Sequence, residues 1–209
     1  LKRNIDGIIY NTYRTDDEMA EYLRHISERL PIVYMNKSLG DDENYACVYT
    51  DGFKSNRKAV QYLIDKGRHK LGYVMNSEDV SIIEDRFEGF VQGLKVFGLE
   101  LNEKWVYRVP RENEPDYIKL GRDAAKYYAS LKDRPDAILT ATDMLAIGCV
   151  KGFNESRLQV PEEISVIGFD NIFVSSLIEP PLTTIAQPVR KMGQAAAEIL
   201  ISKLQGKNT

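Results

Sequence analysis

Short apolar runs typical of buried strands alternate with helical patterns along almost the whole chain, and this alternation limits the possible folds more than any other feature. Strands are predicted at residues 5–10, 32–35, 45–50, 71–75, 105–109, 137–140, 164–169 and 183–186. Helices are predicted at residues 19–30, after a capping box at 15–18, and at 53–66, 84–97, 116–131, 144–153 and 189–204. Regular strand–helix alternation predicts an α/β fold, with parallel sheets that carry helices on both faces.

The composition excludes several classes of protein. The 209 residues include 28 Lys and Arg against 31 Asp and Glu, which gives a formal net charge of −3. This chain alone is therefore not expected to bind the phosphate backbone of DNA. Two cysteines are too few for a disulfide scaffold or a Cys-rich zinc module. No apolar run approaches the roughly 20 residues of a membrane helix, so no membrane partner is expected.

The motifs of the common enzyme classes are missing from the sequence. It has no phosphate-binding G-x-x-x-x-G-K-[ST], no dinucleotide-binding G-x-G-x-x-G, no G-x-S-x-G and no H-E-x-x-H. The two histidines, His25 and His69, have charged neighbours and are predicted to lie on the surface. We therefore expect a chain that is not an enzyme and that uses no cofactor or metal.

Polar residues follow most of the predicted strands. Parallel sheets bind ligands beyond the carboxyl ends of their strands, so these residues are the candidates for a binding site. They are Asn36, Asp51, Asn76, Thr142, Asp143, Asp170, Asn171 and Gln187. Arg86 adds a guanidinium at the start of the helix that follows residue 75.

Two segments near the C-terminus closely resemble the lactose-repressor/galactose-repressor (LacI/GalR) family of bacterial transcription regulators. They are VPEEISVIGFDN at 160–171 and PPLTTIAQP at 180–188. Shorter segments fit the same family in the same order: DGII at 6–9, LIDKG at 63–67, DRFEG at 85–89, PDAIL at 135–139 and TDMLAIG at 142–148. The resemblance covers essentially the whole chain.

The resemblance implies an effector-binding core of two Rossmann-like lobes, similar to type I periplasmic binding proteins. Residues 1–51 and 187–205 would form an incomplete N-lobe and residues 52–186 the C-lobe, with hinge crossovers near Asp51 and Gln187. Family members carry an N-terminal helix-turn-helix DNA-binding domain, which is absent from this sequence and is expected to precede it in the intact protein.

The resemblance also implies ligand-binding roles for Asp170 and Arg86. A carboxylate accepts charge-assisted hydrogen bonds from sugar hydroxyls, and a guanidinium offers five donors to carboxylate, phosphate or sugar oxygens. The alternatives are that Asp170 caps the following turn, and that Arg86 forms a surface ion pair with Asp85 or Glu84.

Four further positions match residues that face the ligand in the family, namely Asn36, Gln187, Asp51 and Thr142. Asn36 and Gln187 are also ordinary turn residues, and Asp51 also suits a role in the hinge. Thr142 also suits a helix N-cap, and it stands where the family often has Asn. Asp143 is expected to be structural, as a partner of the helix dipole.

The predicted function is therefore the effector-sensing domain of a bacterial transcription regulator, a cytoplasmic repressor that responds to a sugar, a sugar phosphate or a related metabolite. The alternatives are an exported sugar-binding protein for uptake and an α/β enzyme acting on a small sugar. Operator DNA is the expected partner through the helix-turn-helix domain. A homodimer is also expected, with Ala146, Ile147, Leu177 and Ile178 exposed at its interface.

Overall fold

The structure, a computed structural model, describes residues 5–12, 17–36, 46–75, 81–110 and 116–206. The chain divides into two compact units. The first comprises residues 1–50, 80–82 and 188–209, and the second comprises residues 51–79 and 83–187. The candidate Asn76 and the first half of the predicted capping box at 15–18 lie outside the described residues.

The first unit contains a parallel sheet in the order β1-β2-β3, with two helices. The strands are β1 (Ile8–Asn11), β2 (Ile32–Met35) and β3 (Ala46–Val48), and the helices are α1 (Asp17–Ser27) and α6 (Val189–Leu204). In the register of the sheet Tyr10 lies opposite Tyr34, and Tyr34 packs with Leu23 of α1 in the core. The amphipathic α1 thus covers a strand that is buried at every position except its last.

The second unit is built on a parallel sheet in the order β5-β4-β6-β7-β8. Its strands are β4 (Leu71–Met75), β5 (Val106–Arg108), β6 (Ala137–Thr140), β7 (Ser165–Asp170) and β8 (Thr183–Ala186). Its helices are α2 (Gly52–Asp65), α3 (Ser81–Val96, from residue 83 onward), α4 (Tyr117–Ser130) and α5 (Asp143–Glu155). The prediction of an α/β fold with parallel sheets is confirmed.

The hydrophobic patterns located several elements to the residue, namely β2, β4, β6, β8 and α6. Others differ at their ends. The strand predicted at 105–109 is preceded by a 3₁₀ turn at Glu103–Trp105, where the Asn102 side chain accepts from the backbone N–H of Lys104, so the strand begins only at Val106. A second 3₁₀ turn, Phe173–Ser176, was not predicted. The helices in the described ranges are too short or too polar to span a lipid bilayer.

Most residues of the helix α5 are buried, which corrects one expectation. Ala146 and Ile147 were predicted to be exposed at a dimer interface, but they are 0% and 3% exposed within the unit itself. The reason is a close approach of α5 to α4, in which Gly148 lies against Gly121. A β-carbon at either glycine would collide with a backbone carbonyl of the other helix.

This contact generates a prediction about stability. The substitution Gly148→Ala places a methyl group on the carbonyl oxygen of Ile118, so we expect it to lower the free energy of unfolding by about 1–3 kcal/mol. The matched control is Gly193→Ala in α6, where a β-carbon meets nothing within 4 Å and the helix should gain roughly 0.5–1 kcal/mol. Urea titration of both variants measures the difference, and equal stability would contradict the close-packed α4–α5 contact.

Candidate functional site

Four of the predicted site residues come together at the carboxyl edge of the five-stranded sheet. Thr142 follows β6, Asp170 ends β7 and Gln187 follows β8. Arg86 reaches the same edge from the second turn of α3. Parallel strands end at one edge of a sheet, so chain segments distant in sequence are brought together there.

The guanidinium of Arg86 is buried beneath this edge, with a side chain that is only 3% exposed. Its Nη1 donates to the carbonyl oxygen of Ala141 at 2.5 Å, and its Cζ lies 3.6 Å from the centroid of the Phe169 ring. Stacking on an aromatic face suits the planar, weakly hydrated guanidinium and would not suit lysine equally. The alternative of a surface ion pair for Arg86 is therefore wrong.

The carboxylate of Asp170 lies between Arg86 and Gln187. Its Oδ1 accepts a hydrogen bond from Nε2 of Gln187 at 2.6 Å and lies 3.8 Å from Nη2 of Arg86. The side chain keeps 25% of its surface exposed. A carboxylate has about four acceptor positions, so these two contacts leave it capacity for donors of a bound molecule.

The backbone at Asp170 and Asn171 has an unfavourable conformation. Its φ is 125° and that of Asn171 is 56°, both in the region that non-glycine residues seldom adopt. Such residues persist only where their surroundings fix them, and they concentrate at binding sites. Here the backbone N–H of Gln187 bonds the carbonyl of Asp170, and the backbone N–H of Asn171 bonds the hydroxyl of Thr184.

The electrostatics of Asp170 are set mainly by its burial. Desolvation raises the pKa of this carboxyl, while the hydrogen bond from Gln187 and the charge of Arg86 lower it, and the charge of Asp143 raises it further. The net direction is upward, so ionising Asp170 is less favourable in the folded chain than in water. A ligand that donates hydrogen bonds to the carboxylate would relieve this cost.

The two residues that open α5 have structural partners. The hydroxyl of Thr142 accepts from the backbone N–H of Leu145 at 3.4 Å, as expected of an N-cap. Asp143 is fully buried, and its carboxylate accepts from two side chains and one backbone amide of the β7–β8 region. The expectation that Asp143 is structural agrees with these contacts.

The remaining predicted site residues lie elsewhere. Asp51 is the N-cap of α2, where it accepts from the backbone N–H of Lys54 at 2.8 Å. Asn36 belongs to the first unit, where it follows β2 with a φ of 70° and donates from Nδ2 to Oδ1 of Asn11 at 2.8 Å. Each therefore has a local structural role, and a role in ligand binding stays a prediction for both.

Sequence reasoning missed one residue that supports the site. Asn56 is 1% exposed, and its Nδ2 donates to the backbone carbonyl of Arg86 at 2.7 Å and to the hydroxyl of Tyr73 at 3.1 Å. This fixes the backbone from which the Arg86 side chain projects. The signal was present in the sequence, since Asn56 occupies the same helical face as the buried residues Val60 and Leu63.

The arrangement is suited to binding rather than to bond-breaking chemistry. It combines one buried cation, one half-buried carboxylate and one amide that orients the carboxylate. Within the described part of the chain, no group of three or more His, Cys, Asp or Glu side chains is placed to hold a metal ion.

A separate pocket of about 320 Å³, which we call the amino-end pocket, lies where β7 and β8 begin and is lined in part by Lys66, Arg68, Ser165 and Thr183.

The raised pKa of Asp170 predicts how stability responds to its replacement. The folded chain holds the Asp170 proton to higher pH than the unfolded chain, so stability is lost as the pH rises through the raised pKa. Asp170→Asn stays neutral and still accepts from Gln187, so its thermal midpoint should exceed that of the wild type at neutral pH. The advantage should shrink as the pH falls and the wild-type carboxyl becomes protonated.

Asp136→Asn is the matched control for this measurement. The Asp136 carboxylate accepts from the backbone amides of His69 and Lys70, so an amide group there would face a donor and lower the midpoint. Thermal melts of both variants across the acidic and neutral range make the comparison. A midpoint of Asp170→Asn below the wild type at neutral pH would contradict a disfavoured charge at Asp170.

Comparison with known proteins identifies the family. Residues 60–209 match the family described as periplasmic binding protein-like domain. The HTH-type transcriptional repressor PurR of Photobacterium profundum is 31% identical over 99% of this chain, and the chain spans 60% of the length of that repressor.

Solved structures of transcription regulators are also similar to this chain. A regulatory protein of the LacI family from Chloroflexus aggregans matches 99% of this chain and 71% of its own, with a TM-score of 0.87 and 26% identity. The transcriptional regulator CelR in complex with cellobiose matches all of this chain and 62% of its own, with a TM-score of 0.86 and 25% identity. These relatives are described as regulators and repressors, not as enzymes. The chain is similar over almost its whole length to part of several LacI-family regulators, and it belongs to the periplasmic binding protein-like family.

Proposed function

We propose that this chain senses a small effector for a bacterial DNA-binding repressor, and that the effector is a sugar or a related metabolite with several hydroxyl groups. The observation that carries the proposal is the Asp170 carboxylate held between Arg86 and Gln187 at the carboxyl edge of the sheet. Vicinal hydroxyls of a sugar donate two hydrogen bonds to one carboxylate, and charge assistance makes these bonds strong.

Two relatives support different parts of this proposal. CelR was solved with cellobiose, which supports a sugar as the effector, and PurR is a repressor of the HTH type, which supports the link to a DNA-binding repressor. In the proposed intact protein, residues 1–51 and 187–205 belong to the N-lobe, residues 52–186 form the C-lobe, and a helix-turn-helix domain contacts operator DNA in the cytoplasm. The net charge of −3 is in keeping with a separate domain that reads the DNA.

We assign to Asp170, Arg86 and Gln187 the direct contacts with the effector, and the exposed carboxylate surface of Asp170 is the most accessible of these. Asn36, Asp51 and Thr142 are proposed as further contacts. Thr142 lies at the N-terminus of α5, where a helix attracts ligand oxygens through its partial positive charge.

The proposed protein is a homodimer, and the second unit offers an apolar surface for it. Phe173 and Leu177 are 79% and 64% exposed, next to Val174, which is 46% exposed. Exposed apolar side chains grouped in one short turn are unusual unless another surface covers them. A two-fold dimer would pair this turn with the same turn, or its surroundings, on a second copy.

Calorimetric titration of the chain with a panel of monosaccharides, disaccharides and phosphorylated sugars tests the proposal. We expect one class to bind, and a ligand at 100 times its Kd should stabilise the chain by about 2.7 kcal/mol in a parallel melt. Asp170→Ala should weaken that binding roughly 10- to 150-fold, because it removes a charge-assisted hydrogen-bond acceptor worth about 1.5–3 kcal/mol.

Asp136→Ala is the matched control for the titration, since it removes a carboxylate at the opposite, amino-terminal end of β6. It should reduce stability without changing the Kd of the sugar. Wild-type affinity in Asp170→Ala would remove this residue from the site. Failure of the whole panel to bind the wild-type chain would contradict the proposed class of effector.

A further inference from the structure

The side chain of Asp143 is buried and accepts three hydrogen bonds from residues far along the chain. Its Oδ2 accepts from the hydroxyl of Ser175 at 2.6 Å and from the backbone N–H of Ile172 at 2.9 Å, and its Oδ1 accepts from the hydroxyl of Thr184 at 2.5 Å. Hydrogen bonds to an ionised acceptor are about twice as strong as neutral ones. One carboxylate thus holds three separate points of the chain, two in the segment between β7 and β8 and one in β8.

The strand β7 is shaped to admit this carboxylate. At Gly168 a β-carbon would lie only 2.2 Å from Oδ1 of Asp143, so any other residue would push the carboxylate out of its place. Asp143 is also the first residue of α5, where the helix dipole favours a negative charge. The local structure therefore selects an acidic side chain at 143 and provides room for it.

Hydrogen bonds to this carboxylate hold two neighbouring segments of the chain. One is the strained turn of Asp170 and Asn171, which is held through Thr184, because the Thr184 hydroxyl accepts from the backbone N–H of Asn171 at 3.2 Å. The other is residues 172–177, which we call the apolar turn, with exposed Phe173 and Leu177 and a buried Ser175. The turn that presents Asp170 and the turn that presents the apolar surface share one anchor.

We infer that Asp143 is a positioning residue that fixes the Asp170 turn and the apolar turn together. Losing the carboxylate should loosen both turns, while losing one of its donors should loosen mainly the turn that this donor serves. The functional meaning rests on the proposed function, in which Asp170 contacts the effector and the apolar turn contacts a second copy. The anchoring itself needs neither ligand nor partner, so it is measurable by itself.

Amide hydrogen exchange of the free chain, resolved to single residues, tests the inference. The amide of Asn171 reports on the Asp170 turn. The amide of Ile172, which bonds the Asp143 carboxylate, and those of Ser175 and Leu177, which bond the carbonyls of Ile172 and Val174, report on the apolar turn. In Asp143→Asn, where an amide group faces the donors, we expect the amides of both turns to exchange about tenfold faster or more. Amides in the buried strand β6 should keep their wild-type rates.

Single substitutions of the donors separate the two turns. Thr184→Val should accelerate the exchange of Asn171 more than that of Ser175 and Leu177, and Ser175→Ala should do the reverse. Thr184→Ser keeps the hydroxyl and should restore wild-type rates. Thr183→Val, one residue earlier on β8 and exposed, is the matched control and should change neither turn.

The inference is overturned if Asp143→Asn leaves both turns at their wild-type rates, or if it accelerates β6 and the turns equally, which would mean global destabilisation. If Asp143→Asn does not fold, Thr184→Val decides, and an unchanged Asn171 rate in that variant overturns the anchor. None of these results depends on a sugar, so a failed titration panel would contradict the proposed function and leave the anchor standing.

Discussion

The stacking of Arg86 on Phe169 is the interaction on which the rest of the site depends. A buried guanidinium is costly unless it is paired, and here Nη1 donates to the carbonyl of Ala141, Nη2 lies 3.8 Å from the Asp170 carboxylate and the planar group stacks on Phe169. These three partners follow or end two adjacent strands. The cation therefore ties α3 to the carboxyl ends of β6 and β7. Its backbone is held in turn by Asn56 of α2. Four elements are fixed around one charge.

Two features of this site lower the stability of the folded chain and are suited to binding a ligand. Asp170 has an unfavourable backbone conformation, and burial raises the pKa of its carboxyl even though a cation lies nearby. Residues that oppose folding are retained where binding needs them, which is the usual trade between stability and function. The buried polar groups around the site, Asn56 and Asp143, hold the chain in this conformation.

The sequence predicted the α/β class and most of the elements because burial in a parallel sheet leaves continuous apolar runs. These runs end where the polar site residues begin, which is why Asp170 and Gln187 were identifiable as candidates. Arg86 lies within a helix, and its candidate role came from the family resemblance of residues 85–89. The lobe boundaries and the ligand roles of these residues stay predictions.

Other features could not be read from local pattern. Ala146 and Ile147 were expected to be exposed, but two glycines on facing helices let α5 approach α4 so closely that both are buried. The three donors of Asp143 lie 29 to 41 residues away, and no local spacing connects them. The exposed apolar turn also depends on a 3₁₀ turn that hydrophobic periodicity does not mark.

The central claim is that a small polyhydroxylated effector binds at Asp170, at the carboxyl edge of the five-stranded sheet. A crystal structure of the chain with the sugar that binds most tightly tests this directly. We expect sugar hydroxyls within hydrogen-bonding distance of the Asp170 carboxylate, with Arg86 still stacked on Phe169. A sugar bound instead in the amino-end pocket, with no contact to Asp170, would contradict it.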